Sequence, residues 1–160
     1  MRGLPFILTA FICLIASCNK EKLPEYYFKC KLGGIEYIPD NCANCRTAKV
    51  LGDTLLILGA NRYVESIGID VLEYPLTAKT YLLRLRRSQG SGTADYDNTI
   101  GNPPDIFRTD TIRTGQFNIT MIDKTSKIIE GTFYYDAYNP VQNKIVKITD
   151  GKFRLQYKTN

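Results

Sequence analysis

Apolar and polar side chains alternate along most of the chain after Cys18. Segments 66–72 and 115–122 carry an apolar residue at every second position, and no stretch of a dozen residues shows helical spacing. A period of two is that of a strand with one buried face. The pattern predicts an all-β domain, an antiparallel β-sandwich or flattened barrel of about nine to eleven short strands. The predicted strands are 26–32, 35–38, 55–58, 66–72, 80–87, 107–113, 115–122, 128–137, 145–148 and 151–158, with a shorter pairing segment at 93–96.

Glycine and polar clusters separate these predicted strands. Gly33-Gly34 is typical of a two-residue hairpin turn, and Asp150-Gly151 predicts another turn. Segment 89–104 is rich in Gly, Ser, Asp, Asn and Pro, so we expect the longest loop there and regard it as a place for functional contacts. In the predicted strand 80–87, alternation places Leu85 in the core and Arg84 and Arg86 outside.

The first seventeen residues differ from the rest of the chain. Arg2 precedes an apolar run from Leu4 to Ala16, which is typical of a signal peptide and too short for a membrane-spanning helix of roughly 20 residues. The run ends in Leu-Ile-Ala-Ser before Cys18, and this ending resembles the lipobox of bacterial lipoproteins. That resemblance implies cleavage after Ser17 and lipidation of Cys18. An ordinary secretory signal is the alternative.

Processing at this point divides the chain into three parts: a signal peptide at 1–17, a lipidated tether at 18–25 and a single all-β domain at 26–160. A cysteine carrying two or more acyl chains anchors a protein stably to a membrane. The residues after Cys18 form no obvious acidic export tag. We therefore expect a cell-envelope protein anchored in the outer membrane, on its periplasmic side.

Composition and charge restrict the catalytic mechanisms and the ligand classes that we expect of this chain. The chain has 160 residues and no histidine, so the usual general base, the usual partner of a serine or cysteine nucleophile and the commonest metal ligand are missing. Its net charge is +5, or +4 once Arg2 is removed with the signal peptide. This mild basic excess favours anionic lipid or acidic glycan partners, and we expect no nucleic acid and no cofactor. The oligomeric state stays open.

Three cysteines lie in the predicted domain: Cys30, Cys42 and Cys45. Exported thiols tend to be oxidised, so one structural disulfide is predicted, joining Cys30 to Cys42 or Cys45. By closing a loop in the unfolded chain, this bridge would stabilise the folded protein by about 3 kcal/mol. The alternatives are a redox-active pair of Cys42 and Cys45, free thiols, or a zinc site with Asp40. A redox-active pair normally lies at a helix N-terminus, and the pattern predicts no helix there.

The remaining candidates are binding residues. Asp95 and Asp97 are weak calcium candidates, because alternating oxygen ligands can hold that ion, although the Gly and distal Glu of a hand-type loop are missing. A pair of carboxylates for glycoside hydrolysis would need a cleft that the sequence does not disclose. The candidate ligand-binding residues are Arg84 and Arg86, for phosphate or carboxylate groups, and Tyr134 and Tyr138, for sugar rings or a protein surface.

Four segments together resemble a known family. They are 27–34 (YFKCKLGG), 114–120 (TGQFNIT), 129–137 (IEGTFYYDA) and 146–153 (VKITDGKF). They resemble a family of small envelope lipoproteins of Bacteroidota, whose β-sandwich-like domain has no assigned function. The resemblance implies the fold and the location, and it brings no catalytic residues to this chain.

These observations converge on one expected function. We expect a lipid-anchored envelope protein that performs no catalysis and acts as a binding or structural module, with a glycan, an anionic lipid or an envelope protein as its ligand. The alternative is an envelope enzyme or redox accessory that uses the Cys42 and Cys45 pair.

Overall fold

The computed structural model describes residues 25–52, 54–100 and 105–159. These residues form eleven strands and no α-helix, so this part of the chain offers no helix that could span a membrane. The predicted signal peptide and the predicted lipidation site at Cys18 lie outside the described residues. The strands are β1 (Tyr27–Leu32), β2 (Ile35–Tyr37), β3 (Arg46–Leu51), β4 (Leu55–Arg62), β5 (Glu65–Leu72), β6 (Thr80–Leu83), β7 (Ser91–Asn98), β8 (Asp105–Arg108), β9 (Gly115–Asp123), β10 (Ile128–Asn139) and β11 (Lys144–Thr159).

The strands of the described residues belong to one sheet, and that sheet closes on itself. Its ring runs β3-β4-β5-β7-β6-β9-β10-β11 and returns to β3. Two short parallel pairings complete the ring, β11 with β3 and β6 with β7, while the other neighbours are antiparallel. The β1–β2 hairpin extends β11 beside β3, and β8 bridges β7 and β10. The predicted all-β class is confirmed, and the closed sheet fits a flattened barrel.

Aromatic side chains fill the interior of the ring. The rings of Phe117 and Phe153 stack with centroids 5.0 Å apart, and Phe28 contacts Phe133 at the same distance. Tyr37, Tyr81 and Tyr135 are equally buried, and each donates its hydroxyl to a backbone carbonyl oxygen; Tyr37, for example, donates to that of Ala60 at 3.0 Å. A buried hydroxyl without such a partner would be costly. Every strand and every residue of the described core lies between Tyr27 and Thr159.

Several strand predictions were wrong, among them the predicted strand 107–113, which is β8 at Asp105–Arg108. Strand β3 was not predicted, strand β6 ends at Leu83 instead of continuing to residue 87, and β7 occupies Ser91–Asn98 inside the predicted loop 89–104. The Arg84 N–H still donates to the Gly92 carbonyl oxygen of β7 at 2.9 Å, and the strand ends there. Leu85 is therefore 52% exposed instead of lying in the core.

Asp150-Gly151 forms a bulge and not the predicted turn. Strand β11 is continuous through both residues, and its register with β10 slips between Phe133 and Tyr135. Asp150 adopts a positive φ of 54° within the strand. One extra residue on β11 is accommodated there, as β-bulges commonly allow. By contrast, the predicted turn at Gly33-Gly34 is confirmed, with φ of 57° and 89°.

The predicted disulfide pairing was also wrong. Cys42 is bonded to Cys45, and Cys30 is a free, buried thiol. Strand β2 has only three residues, and the residue opposite Cys30 in the hairpin is Tyr37. The chain then leaves the hairpin, and a turn in which the Cys45 N–H donates to the Cys42 carbonyl oxygen at 3.2 Å brings those two cysteines together.

Candidate functional site

A cleft of about 530 Å³ opens between β8 and the turn that joins β10 to β11. We call it the β8 cleft. One wall is β8 with the segment that follows it, and the other is the turn itself. Exposed apolar side chains line it: Val141 is 84% exposed, Leu85 52% and Ile106 37%. Its walls are mainly apolar, as is typical of ligand-binding clefts. The remaining lining residues are Asp105, Arg108, Thr109, Asp110, Tyr138, Asn139, Pro140 and Gln142.

The β10–β11 turn is held in place by a buried side chain. Asn139 is only 4% exposed, and its Oδ1 accepts hydrogen bonds from the backbone N–H groups of Val141 at 2.9 Å and Gln142 at 3.1 Å. This Asx-type arrangement fixes the turn that carries Val141. Across the cleft, Gln142 Nε2 donates to Asp105 Oδ1. The two walls are therefore linked directly.

The opposite wall is fixed by Asp110. Its Oδ1 accepts from the backbone N–H groups of Ile112 at 2.7 Å and Arg113 at 2.6 Å, and its Oδ2 lies 3.1 Å from Arg113 Nη1. Although burial alone would raise the pKa of the Asp110 carboxyl, the hydrogen bonds from Arg113 and Ile112 lower that pKa below its usual range. The Arg113 guanidinium in turn lies 4.1 Å from the centre of the Tyr138 ring. This contact ties the segment after β8 to β10.

Two polar groups in the cleft have no hydrogen-bond or ion-pair partner within the part of the chain that the structure describes. Gln142 Oε1 is buried and accepts no hydrogen bond from the residues that the structure describes. Arg108 is exposed, and no carboxylate of the described chain lies within 4.0 Å of its guanidinium. A cleft with mainly apolar walls fits a ligand that carries an apolar group.

The cleft also exposes a strand edge. Strand β8 pairs with β7 over all four of its residues, but with β10 only where Arg108 faces Tyr138. From Asp105 to Phe107 the second edge of β8 has no strand neighbour among the described residues. An extended peptide can bind to such an edge through its main chain while its side chains enter adjacent pockets.

Of the four predicted ligand-binding residues, the cleft contains only Tyr138. Its ring lines the cleft, and its hydroxyl donates to Asn143 Oδ1 at 2.9 Å. Tyr134 is 49% exposed and lines a separate polar groove over β6, β9 and β10. Arg84 bonds to Ser88 Oγ at 3.0 Å, and it flanks the cleft residue Leu85 in sequence together with the exposed Arg86. The structure therefore does not bring the four residues into one site.

The weak calcium candidates Asp95 and Asp97 lie on the outer face of β7 and not in a loop. Asp95 faces Gly68 on β5 and Arg108 on β8. Burial raises the pKa of the Asp95 carboxyl to about 6, and the neighbouring carboxylates of Asp97 and Asp70 add to this rise. Within the described residues, no three His, Cys, Asp or Glu side chains are grouped so as to hold a metal ion.

The cysteines occupy two different environments. Cys30 is 3% exposed, and burial raises the pKa of its thiol to about 12 although Arg62 lies near enough to oppose the rise. The Cys42–Cys45 bridge lies between β2 and β3, where Cys42 is exposed and Cys45 is buried. A bridge across three residues constrains the unfolded chain very little.

A family profile described as a domain of unknown function, DUF6252, matches residues 42–155, which are 114 of the chain's 160 residues. The chain belongs to the DUF6252 family. No curated protein and no solved structure matches it significantly. The matched range contains the whole β8 cleft and the Cys42–Cys45 bridge, and it begins after the β1–β2 hairpin. The cleft thus belongs to the part of the DUF6252 domain by which the family is recognised.

The sequence did not reveal most cleft residues of this DUF6252 domain. They come from three separate segments, around residue 85, at 105–110 and at 138–142, which the closed sheet brings together. One local signal was present: Val141 is an apolar residue in an Asn-Pro-Val-Gln turn, where polar residues are usual. A single exposed apolar residue is ordinary, and Val141 becomes informative only because Leu85 and Ile106 line the same cleft.

Proposed function

We propose that this DUF6252 domain is a lipid-anchored binding module of the cell envelope, which holds an extended segment of a partner envelope protein in the β8 cleft. The proposal places the chain among the small envelope lipoproteins of Bacteroidota and attaches it through Cys18 to the periplasmic side of the outer membrane. It is a non-catalytic role, which the absence of histidine from the sequence supports.

The observation that carries the proposal is the combination of an apolar cleft with a strand edge. Val141, Leu85 and Ile106 offer contacts to apolar side chains, while the free edge of β8 offers backbone hydrogen bonds. A glycan would favour polar groups and open aromatic faces, whereas one face of the Tyr138 ring is covered by Arg113. The cleft therefore favours a protein segment over a glycan.

Peptide binding tests this function directly. A library of extended peptides is titrated into the isotopically labelled protein, and backbone amide shifts are followed by NMR. Binding should shift the amides of Asp105–Arg108, and Val141→Asp should abolish it. Ile35→Asp is the matched control, because Ile35 is 74% exposed at the β1–β2 turn and does not line the cleft. Binding of glycans or lipids in the cleft without any peptide binding, or turnover of a substrate, would refute the proposal.

The anchor is tested separately by intact mass. The protein is extracted from native membranes with detergent, and its mass is measured before and after reduction. We expect a chain that begins at Cys18 and carries acyl groups, together with one bridge. An unprocessed chain without acyl mass would refute the anchorage and leave the peptide result unaffected.

A second candidate function, a redox accessory, is favoured by one observation: Cys42 and Cys45 are bonded to each other, and Cys42 is exposed. An exposed sulfur is open to attack by a thiolate. However, no helix begins at this pair in the described chain, so a helix N-terminus to lower the pKa of an attacking thiol is missing. Exchange with a thiol probe, compared between the native protein and a Cys42→Ser/Cys45→Ser variant, decides whether the bridge is redox-active.

A further inference from the structure

A groove of about 370 Å³ on the outer face of β3 and β11 is lined by cations and neutral groups. Its cations are Arg46, Lys49 and Lys158, and none of the described residues that line it is a carboxylate. One acidic residue, Glu25, lines an adjoining hollow that shares Arg46 and Lys158 with the groove. The remaining polar residues of the groove are Asn44, Thr47 and Gln156.

Two pairs of lysines face each other on this side of the sheet. Lys158 is opposite Lys49 in the β11–β3 register, and Lys152 is opposite Lys29 in the β1–β11 register. No carboxylate of the described chain lies within 4.0 Å of any of these four amines, although Glu36 and Asp150 line the same hollow as Lys29 and Lys152, and Asp150 is paired with Lys31 at 2.9 Å. Like charges directly across strands are destabilising. An anionic partner would relieve this repulsion.

The chain enters the domain beside this groove. Arg46 Nη1 donates to the Tyr26 carbonyl oxygen at 3.5 Å, and Glu25 and Tyr26 line the adjoining hollow. Cys18 precedes Glu25 by seven residues in the sequence. A chain of this length spans at most about 25 Å, so a lipid on Cys18 would hold the membrane surface close to the groove.

We propose that this basic face, formed by Arg46, Lys49, Lys158 and the Lys29–Lys152 pair, docks on the anionic phospholipid headgroups of the membrane that holds Cys18. The inference rests on the proposed anchorage. The groove and the β8 cleft lie towards opposite ends of β11. Lys144 adjoins the turn of the cleft, and Lys158 lies fourteen residues further along the strand.

Vesicle flotation of the chain from residue 19 onward tests this face without any lipid anchor. That chain carries every strand and the whole described core, and its cooperative thermal melt is verified first. We expect it to float with vesicles of phosphatidylcholine mixed with phosphatidylglycerol, but not with phosphatidylcholine alone. Partitioning should weaken at higher salt and should not be displaced by free glycerol phosphate at equal charge.

Neutralising the lysine pair gives the decisive comparison. A basic side chain at an anionic membrane contributes about 1 kcal/mol, so Lys49→Gln and Lys158→Gln should each lower partitioning about fivefold and together about 25-fold. Lys144→Gln is the matched control at the other end of β11 and should bind like the wild type. Lys49→Glu should also raise the melting temperature, since it places opposite charges across the strands.

Three results would overturn the inference. They are a lack of flotation with anionic vesicles, equal partitioning of the double variant and the wild type, and binding to dextran sulfate without binding to vesicles. None of these would bear on the anchorage itself, which the intact mass of the native protein decides. Acyl mass on Cys18 together with an inert basic face would leave the anchor in place and remove the docking surface.

Discussion

Replacing Asp95 by Asn should stabilise the protein at neutral pH. The Asp95 carboxylate lies over Gly68, so close that a Cβ built on this glycine would be 2.7 Å from Oδ1. Burial first, and then Asp97 and Asp70, raises the pKa of this carboxyl from an ordinary value near 3.8 to about 6. Between these two values the folded protein binds a proton that the unfolded chain has lost. Its stability should therefore fall as the pH rises from about 4 to 6.

The size of the effect follows from this difference. A pKa difference of about two units between the folded and unfolded protein corresponds to about 3 kcal/mol of stability. Partial solvent exposure of the carboxyl reduces this contribution to about 1–2 kcal/mol. Asp95→Asn should gain that amount at pH 7 and lose the advantage below about pH 4, where the carboxyl is protonated in both states. Urea denaturation followed by circular dichroism over pH 4–8 measures the difference in the free energy of unfolding.

A control of opposite sign is available in the same protein. Backbone and side-chain hydrogen bonds from Ser126 lower the pKa of Asp123. Asp123→Asn should therefore destabilise the protein at neutral pH, and this loss should fade as the pH falls through the lowered pKa of the native carboxyl. If Asp95→Asn were less stable than the wild type at pH 7, or if its advantage were the same at pH 4, our account of the Asp95 environment would be wrong.

Three further substitutions or labels probe the core and the cleft. Gly131→Ala should cost about 1–3 kcal/mol or more in a thermal melt, because a Cβ there would lie 2.1 Å from the Asn118 carbonyl oxygen; a neutral result would contradict the close strand contact. Thr109→Val should cost about 1–3 kcal/mol in urea, since the buried Oγ1 accepts from the Ala94 N–H at 3.1 Å; an unchanged midpoint would show that this bond is dispensable. In the unreduced chain from residue 19 onward, Cys30 should not react with iodoacetamide at pH 8 while the protein is folded. In denaturant the same chain should take up one adduct, counted by mass spectrometry. Labelling of the folded protein would contradict the burial of Cys30 and its pKa of about 12.

The fold was predictable where alternation is strong. Strands β5 and β9 carry large apolar residues at every second position, and both were predicted within two residues of their observed bounds. Strand β3 alternates as well, but its inward positions are only Ala48 and Val50, so its hydrophobic signal is weak. Its parallel pairing with β11, which closes the ring, has no signature in the local sequence.

Strand β7 shows how tertiary context overrides composition. Segment 91–98 contains Ser, Gly, Asp and Asn, which are typical of loops, yet it lies between β5 and β8 in the sheet. Strand preference depends on neighbouring strands more than on the residue itself. Gly92 is needed there because a Cβ would approach the Asp70 carbonyl oxygen to 2.3 Å. The small residues of this segment therefore allow close packing between strands and do not form a flexible loop.

The candidate sites depended on contacts between distant segments. Tyr138 was predicted as a ligand-binding residue from its type alone, whereas the cleft around it needs β8, the β10–β11 turn and Leu85 to meet. The sequence predicted that one disulfide forms, but which cysteines it joins depends on the three-residue length of β2. Such details follow from the closed sheet and not from spacing along the chain.

The sixteen-residue strand β11 has a mechanical consequence. Strand β1 pairs with it in antiparallel fashion, and Tyr27, where β1 begins, faces Arg154 near the far end from the β10–β11 turn. Tension between the N-terminal tether and a partner gripped at that turn would act along the two strands. Hydrogen bonds in an antiparallel pair run perpendicular to the strands, so this pull would load them together in shear. The domain would then transmit force between bilayer and partner without unzipping.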